Sequence, residues 1–483
     1  MLTLIKNEFY KLLHKKSTYI IIVIALLYVI LANFIYRYFD VNNIRTGNNY
    51  FEINIDYATD FINNYDPSVD NIDDYAYYMA YIDCYGLSKE YDEDSWQVKI
   101  IMEKYFPLDN NYYYLLQDEK ENKEEIENVQ GEMLLIVQSL LNDDWKYLAN
   151  LEKEEYEKKV MEYEKIIENE KLSEKELTDY KMEHFVAKET LQLINYRLDE
   201  NVSYNNDYLN DAISELNNLL YPMAEYIYDT DINYDEHKEI VSSYYENKYI
   251  LEHKVDTKNE ANLRGLIKNF FDEYTFFILV FAIMIAGSIV SDEFSKGTIK
   301  SLLTLPYQRT DILLAKFITS ILVIPLFIAL LFIFQLGIGS ILFGIDSLKV
   351  PVLIYNHSIG VLETVNVFKY FGLILITSLP KIILLITLAF SCSTIINSTA
   401  FSIAITFCGY IGAEFINALA YVYDIKFLDY FVTTNWDWTQ FLYGGESMYG
   451  LSFNHSFIVC IAYFLLMLVL SIWVFNKKNI KNI

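Results

Sequence analysis

Lys381 and Glu414 are charges that interrupt otherwise apolar stretches of this chain. Lys381 directly follows Pro380 in the run 370–396, and Glu414 lies in the run 399–421. A charge inside hydrocarbon is costly, so it is kept for pairing, for a pathway or for a cation. Counted from the ends of their runs the two lie roughly twelve and roughly seven residues deep, an offset of ~7.5 Å along a helix. That offset allows a salt bridge without requiring one. Pairing or snorkelling within the protein is favoured over lining a pathway or coordinating a cation.

Other constellations fail on their spacing. Asp73 with Asp74, and Asp92 with Glu93 and Asp94, are dense in carboxylates, but neither carries the D-x-[DN]-x-[DN]-G loop and distal Glu that calcium needs. They read as solvated acidic surface. Three of the four cysteines (Cys392, Cys408, Cys460) sit in apolar runs and Cys84 alone lies in the acidic insert, so no disulfide is expected within that insert, no Cys/His cluster has zinc-like spacing, and no metal is expected. No G-x-x-x-x-G-K-[ST] loop cradles a phosphate. The chain therefore brings no catalytic residues and no cofactor of its own.

The elements that hold these residues follow from composition. The 483 residues carry 65 acidic and 38 basic side chains, a net charge of −27, yet 53% are apolar. Residues 40–270 hold 52 of the acidic and 22 of the basic groups, so an acidic insert interrupts a hydrophobic protein. Without a basic stripe, nucleic acid is excluded as a partner. Residues 19–36 form an uncharged run that as a helix spans ~27 Å, against ~30 Å of hydrocarbon in a bilayer. The run is long for a signal peptide and is read as a retained anchor. Five more runs follow at 274–290, 317–342, 370–396, 399–421 and 457–475. Pro325 and Pro380 are expected to kink their spans, while Gly337, Gly339, Gly409 and Gly412 permit close helix approach.

Lys and Arg near span ends favour the cytoplasm. Lys6, Lys11, Lys15 and Lys16 precede the first span; Lys296, Lys300, Arg309 and Lys316 lie between the second and third; Lys477, Lys478 and Lys481 follow the last. Both termini are thus expected in the cytoplasm of a multi-pass cell-membrane protein. The expected order is an amphipathic helix at 1–18, a first span at 19–36, an extracellular acidic domain at 37–273 and a second span at 274–290. A cytoplasmic loop at 291–316, four spans within 317–475 with outer loops at 343–369 and 422–456, and a tail at 476–483 complete it. Trp436 and Trp438 in the last outer loop suit anchoring at the water interface.

The insert reads as mostly helical. Leu148, Leu151, Tyr156, Val160, Tyr163 and Ile167, then Leu177, Tyr180, Leu191, Ile194 and Leu198, recur at helical spacing, with the S-x-x-E capping box Ser173–Glu176 between them. An antiparallel coiled-coil hairpin is expected, followed by a helix over 207–220 that Pro222 stops and another over 235–253. The fold class is all-α: six transmembrane helices, an N-terminal amphipathic helix and a large helical domain between spans one and two.

After the second span comes SDEFSKGTIKSLLTLPYQRTDILLAKF, residues 291–317. This stretch resembles the first cytoplasmic loop of type-2 ABC exporter permeases, with Glu293, Phe294, Gly297, Thr298, Pro306, Arg309, Leu313, Ala315 and Lys316 at the matching positions. NEFYKLLHKKS at 7–17 is similar to the elbow helix of such permeases, and NWDWTQFLYGG at 435–445 to the segment before their last span. Through Asp144-Trp145-Lys146 and residues 195–199 the insert looks like that of a Gram-positive subgroup. The resemblance covers the whole chain, most loosely residues 40–140.

The resemblance implies a permease subunit that moves a peptide, drug or similar substrate outward. ATP and Mg would be bound by a separate ABC ATPase subunit, and a second permease, identical or not, would complete the pathway in the lipid bilayer. Glu293, Phe294, Gly297, Thr298, Pro306 and Arg309 would couple the two chains. A short helix from Gly297 to Leu305, ended by Pro306, would pass force to both neighbouring spans. The alternative is a cell-surface receptor or envelope-interaction protein with an exporter-like membrane region.

Overall fold

The computed structural model describes residues 1–45, 55–69, 71–118, 122–168, 172–205, 207–229, 234–302, 304, 306–423, 425–445, 447 and 449–478. Two units divide the chain: Met1–Phe39 with Asn259–Ile483, and Asp40–Lys258.

The chain starts with α1 (Leu2–Leu13) and α2 (Lys16–Arg45). The described residues of the insert then form α3 (Ile55–Asn63), α4 (Ile72–Ser88), α5 (Trp96–Ile100), α6 (Phe106–Leu115), α7 (Lys123–Leu141), α8 (Trp145–Ile167), α9 (Glu174–Asp199), α10 (Tyr208–Tyr228) and α11 (Tyr234–His253). A π-turn, Ile101–Tyr105, joins α5 to α6. Then come α12 (Leu263–Lys268), α13 (Phe270–Ser288), α14 (Ser291–Ser295), α15 (Ile299–Leu302) and α16 (Arg309–Phe343). Strands β1 (Val352–Asn356) and β2 (Val361–Val365) precede α17 (Val367–Ile395), α18 (Thr399–Tyr423), α19 (Val432–Asn435) and α20 (Phe453–Lys477).

Among the described residues six helices are long and apolar enough to cross a membrane: Lys16–Tyr38, Phe270–Ser288, Arg309–Phe343, Val367–Ile395, Thr399–Leu419 and Phe453–Lys477. They contain the six expected runs apart from residues beyond three helix ends, and most extend further, because polar residues at the ends continue the helical hydrogen bonding. α13 is the most buried of them and packs against α16, α17 and α18, so it forms the axis of the unit. Its Phe270 and Phe271 meet Phe332 and Phe371 in an aromatic cluster, with centroids 4.1 to 5.8 Å apart.

Spans also meet through buried polar groups, where an unpaired amide would be expensive. Asn33 and Gln335, both 0% exposed, exchange amide hydrogen bonds of 2.8 and 3.1 Å, and the Tyr274 hydroxyl donates to Gln335 Oε1 at 2.6 Å. This clasp joins α2, α13 and α16. Gly339, one turn along from Gln335, lies so close to the Leu263 side chain that a Cβ would meet it at 2.6 Å. Gly337, Gly409 and Gly412 have no such neighbour, so close approach holds for Gly339 alone among the four expected positions.

One departure from the all-α expectation is the antiparallel pair β1–β2, with Val352 opposite Val365 and Asn356 opposite Val361. Its runs VLIYN and VLETV are β-branched, and Gly360 takes the left-handed conformation (φ +66°) that closes the connection.

Within the insert, each helix from α6 to α11 packs against the next, and α4 packs on α3 and α6. The long hairpin α8–α9 forms as expected, with Ser173 and Glu176 capping α9 reciprocally. Arg197, 5% exposed, donates to the carbonyls of Val202 and Ser203 and to Asn210 Oδ1 at 2.8 Å, with its guanidinium 4.0 Å from the Tyr204 ring centroid. Pro222 does not stop α10, which continues to Tyr228. Ile213, Leu216, Leu220, Met223 and Ala224 are buried on both sides of the proline, and that packing outweighs one lost backbone bond.

Candidate functional site

α1 is amphipathic, but its buried stripe at four-residue spacing reads Leu4, Glu8, Leu12. A carboxylate therefore points into the face that packs on α16. There it meets Lys316, 1% exposed, whose Nζ lies 2.7 Å from Glu8 Oε2 and 3.1 Å from Glu293 Oε1. Lys11 Nζ, one turn along α1, lies 3.0 Å from Glu8 Oε1 and 2.9 Å from the same Glu293 oxygen. Glu8, Lys316, Glu293 and Lys11 thus close a ring of alternating charge with no net charge. Buried ions are tolerated when paired and hydrogen-bonded in this way. The Thr298 hydroxyl donates to the remaining Glu293 oxygen.

A second pair lies beside the ring. Lys15 Nζ approaches Asp292 Oδ2 at 2.8 Å and donates to Ser288 Oγ at 2.7 Å, while the Thr399 hydroxyl donates to Asp292 Oδ1 at 2.7 Å. Burial raises both acids' pKa values, but their partners outweigh it. Lys316, Thr298 and Lys11 hold Glu293 down at about 2, and Lys15 with Thr399 holds Asp292 below the usual carboxylate range. Burial likewise lowers Lys11, yet the bonds to Glu293 and Glu8 leave it above an ordinary lysine.

The segment between α13 and α16 is fastened on other sides too. The backbone amides of Val290 and Ser291 donate to Ser393 Oγ at 3.1 and 2.9 Å, and Ser295 donates to the Asn397 carbonyl at 2.9 Å. Arg309 Nη1 reaches the carbonyls of Asn476 and Lys478 at 3.2 and 3.3 Å. Lys478 Nζ donates to the Thr394 carbonyl at 2.7 Å and lies 4.2 Å from the ring centroid of buried Phe294. Residues 289–309 thereby touch α1, α16, the α17–α18 turn and the end of α20. A cleft of about 620 Å³ opens between α1 and this segment, with Lys11, Leu12, Lys15, Asp292, Thr298 and Leu302 among its walls.

Of the residues expected to couple, Glu293, Phe294, Thr298 and Arg309 are gathered into these contacts. Gly297 (φ +70°) is the left-handed residue that ends α14. Pro306 is exposed and stands apart from the ring. The helix expected over Gly297 to Leu305 is a single turn, Ile299–Leu302, because Gly297 adopts a turn conformation; Leu303 and Leu305 lie outside the described residues. Lys296, Lys300, Ser301, Thr304, Pro306 and Tyr307 leave a solvent-facing surface.

Lys381 lies 5.6 Å from the Trp436 ring centroid and 5.9 Å from that of Tyr410, a cation–π arrangement. Tyr410 is one helical turn from Glu414, whose side chain lies outside the described residues. Trp436 is 4% exposed and packs in the protein core, whereas an interfacial anchor would face outward; Trp438 is half-buried against Phe453 and Phe457. Glu8 and the Asn33–Gln335 clasp escaped the sequence reading. Their partners lie hundreds of residues away, so local spacing does not show them.

Residues 233–481 match the family described as proteins of unknown function, DUF2705. The chain belongs to this DUF2705 family. The matched region contains Glu293, Arg309 and Lys316, while Glu8 and Lys11 precede it. The Bacillus subtilis protein YhcI, described as uncharacterised, is 27% identical over 254 residues, covering 51% of this chain and 78% of that one. YdbK of the same organism, described as an uncharacterised membrane protein, is 25% identical over 205 residues, covering 41% of this chain and 76% of that one. No solved structure matches. With six membrane-length apolar helices and a membrane protein among its relatives, this DUF2705 member is a multi-pass membrane protein.

Proposed function

We propose that the chain is the membrane-spanning permease subunit of an ATP-driven exporter, worked by a separate ATPase that engages residues 291–308 from the cytoplasm. The carrying observation is the charge ring, which fixes that segment to α1 and α16 at once, so a push on it moves both. The bonds to Ser393, Asn397, Asn476 and Lys478 extend the same displacement to α17, α18 and α20. In this reading α1 is the elbow helix at the inner membrane surface, both termini are cytoplasmic and the acidic insert is extracellular. A second permease completes the pathway, and the substrate is a peptide, drug or similar molecule. The solvent-facing Lys296, Lys300 and Tyr307 are the surface offered to the ATPase.

Purification of the full chain from its native host in mild detergent, followed by mass spectrometry, tests this. An ABC ATPase is expected at stoichiometric amounts, and Lys300→Glu with Tyr307→Ala reduces its recovery about tenfold while the permease still reaches the membrane. Loss of about 1.4 kcal/mol of binding free energy corresponds to that factor. Recovery of no ATPase even after cross-linking overturns the reading and turns attention to the insert as a receptor.

A further inference from the structure

The insert holds a buried acid without a counter-charge. Asp109, on α6, is 2% exposed, and its Oδ2 has no hydrogen-bond partner. The charge acting on it is of the same sign: Asp83, on the neighbouring α4, whose carboxylate accepts from the Tyr113 hydroxyl at 2.6 Å. The other titratable groups around it are weak acids, namely Cys84 on α4, Tyr105 on the π-turn and Tyr113 on α6. From α7 the packed side chains are Ile126, Val129 and Met133, with Gln130 bonded to Tyr112. Among the described residues no cation acts on Asp109.

The backbone just before Asp109 is unusual as well. The π-turn Ile101–Tyr105 carries one residue more than an α-helical turn, and one residue rotates everything after it by about 100°. π-turns are rare and concentrate where a side chain must be placed for function. Here the extra residue sets the face that α6 turns to α4. An unpartnered carboxylate is costly in such a place, whereas the neutral acid is tolerated.

We propose that Asp109 is a proton-operated latch of the insert: protonated, it seals the joint between α4 and α6, and ionised, it opens that joint. Burial first and Asp83 second push its carboxyl up to about 7. The folded value lies above the ordinary one of 3.8, so the latch is fully closed below about pH 4 and is lost as pH rises through about 7. The insert is tighter in acid than at neutrality, whatever the membrane unit transports.

Cys84, on α4, reports on the joint: it is 0% exposed, its thiol faces the Ile101 carbonyl of the π-turn that leads into α6, and the Asp109 charge acts on it. The test follows alkylation of Cys84 by N-ethylmaleimide in the full-length protein in lipid nanodiscs, read by peptide mass spectrometry and divided by the rate of a free thiol at the same pH. The normalised rate is expected to rise about tenfold per pH unit from 5 to 7 and to level off above it. In Asp109→Asn it stays low and flat. Asp83→Asn, which keeps Asp109 but removes the neighbouring charge, moves the plateau to lower pH and decides the matter if the first variant does not fold. A normalised rate independent of pH, the same dependence in Asp109→Asn, or a Cys84 that never reacts overturns the proposal.

Discussion

Lys316 carries the heaviest electrostatic burden at the α1 end of the spans, because it lies buried between two carboxylates. Lys316→Ala leaves Glu8 and Glu293 facing each other with Lys11 as their remaining cation, a loss of about 3–5 kcal/mol. A drop in thermal unfolding temperature of the detergent-purified protein reports it. Lys316→Met combined with Glu8→Gln and Glu293→Gln recovers most of the loss, because the three buried charges then leave together and Lys11, half exposed, is left to water. Glu293 is indifferent to mild acid: it is depressed from 4.5 to about 2, so its contribution is complete above about pH 4.5 and fades only as pH falls towards 2. Asp109 has the opposite sign, and the two acids separate in a pH titration. Lys316 and Glu293 stand in the stretch that carries the family resemblance, but their pairing is visible only in the fold. Glu8 was not legible, because in a basic amphipathic helix one acid reads as part of the charged face until the partner that buries it is known.

Among the elements, the six spans were legible because length and apolarity are all that hydrocarbon asks of them. The α8–α9 hairpin was legible because its period and capping box agree. Three elements were hidden from the hydrophobic period: β1–β2 forms in a loop closed by Gly360, the expected coupling helix is one turn after left-handed Gly297, and α10 runs through Pro222. The last depends on neighbours distant in sequence, which local periodicity does not register. The amide clasp is of the same kind, since Asn33 and Gln335 are 302 residues apart. Gln335→Leu strands Asn33 and the Tyr274 hydroxyl in the interior and costs about 1–3 kcal/mol. Gln335→Leu with Asn33→Leu costs clearly less in the same unfolding assay; an equal or larger loss in the double variant would mean that the clasp is not the source of the effect.

For the molecule as a whole, the division into two units follows the charge asymmetry of the sequence: an acidic helical insert and an apolar bundle, each with its own core. The insert holds one cysteine and so relies on packing and buried pairs such as Arg197 with Asn210. The bundle gathers at one end α1, the segment 289–309, the α17–α18 turn and the close of α20, the end at which the proposed ATPase would dock. A photo-cross-linking residue placed at exposed Lys300 in living cells tests this most directly, with the same residue at exposed Leu466 on α20 as the reference. A covalent adduct with an ABC ATPase is expected from position 300 and none from position 466. No ATPase adduct at 300, or equal yields at both positions, would contradict that docking.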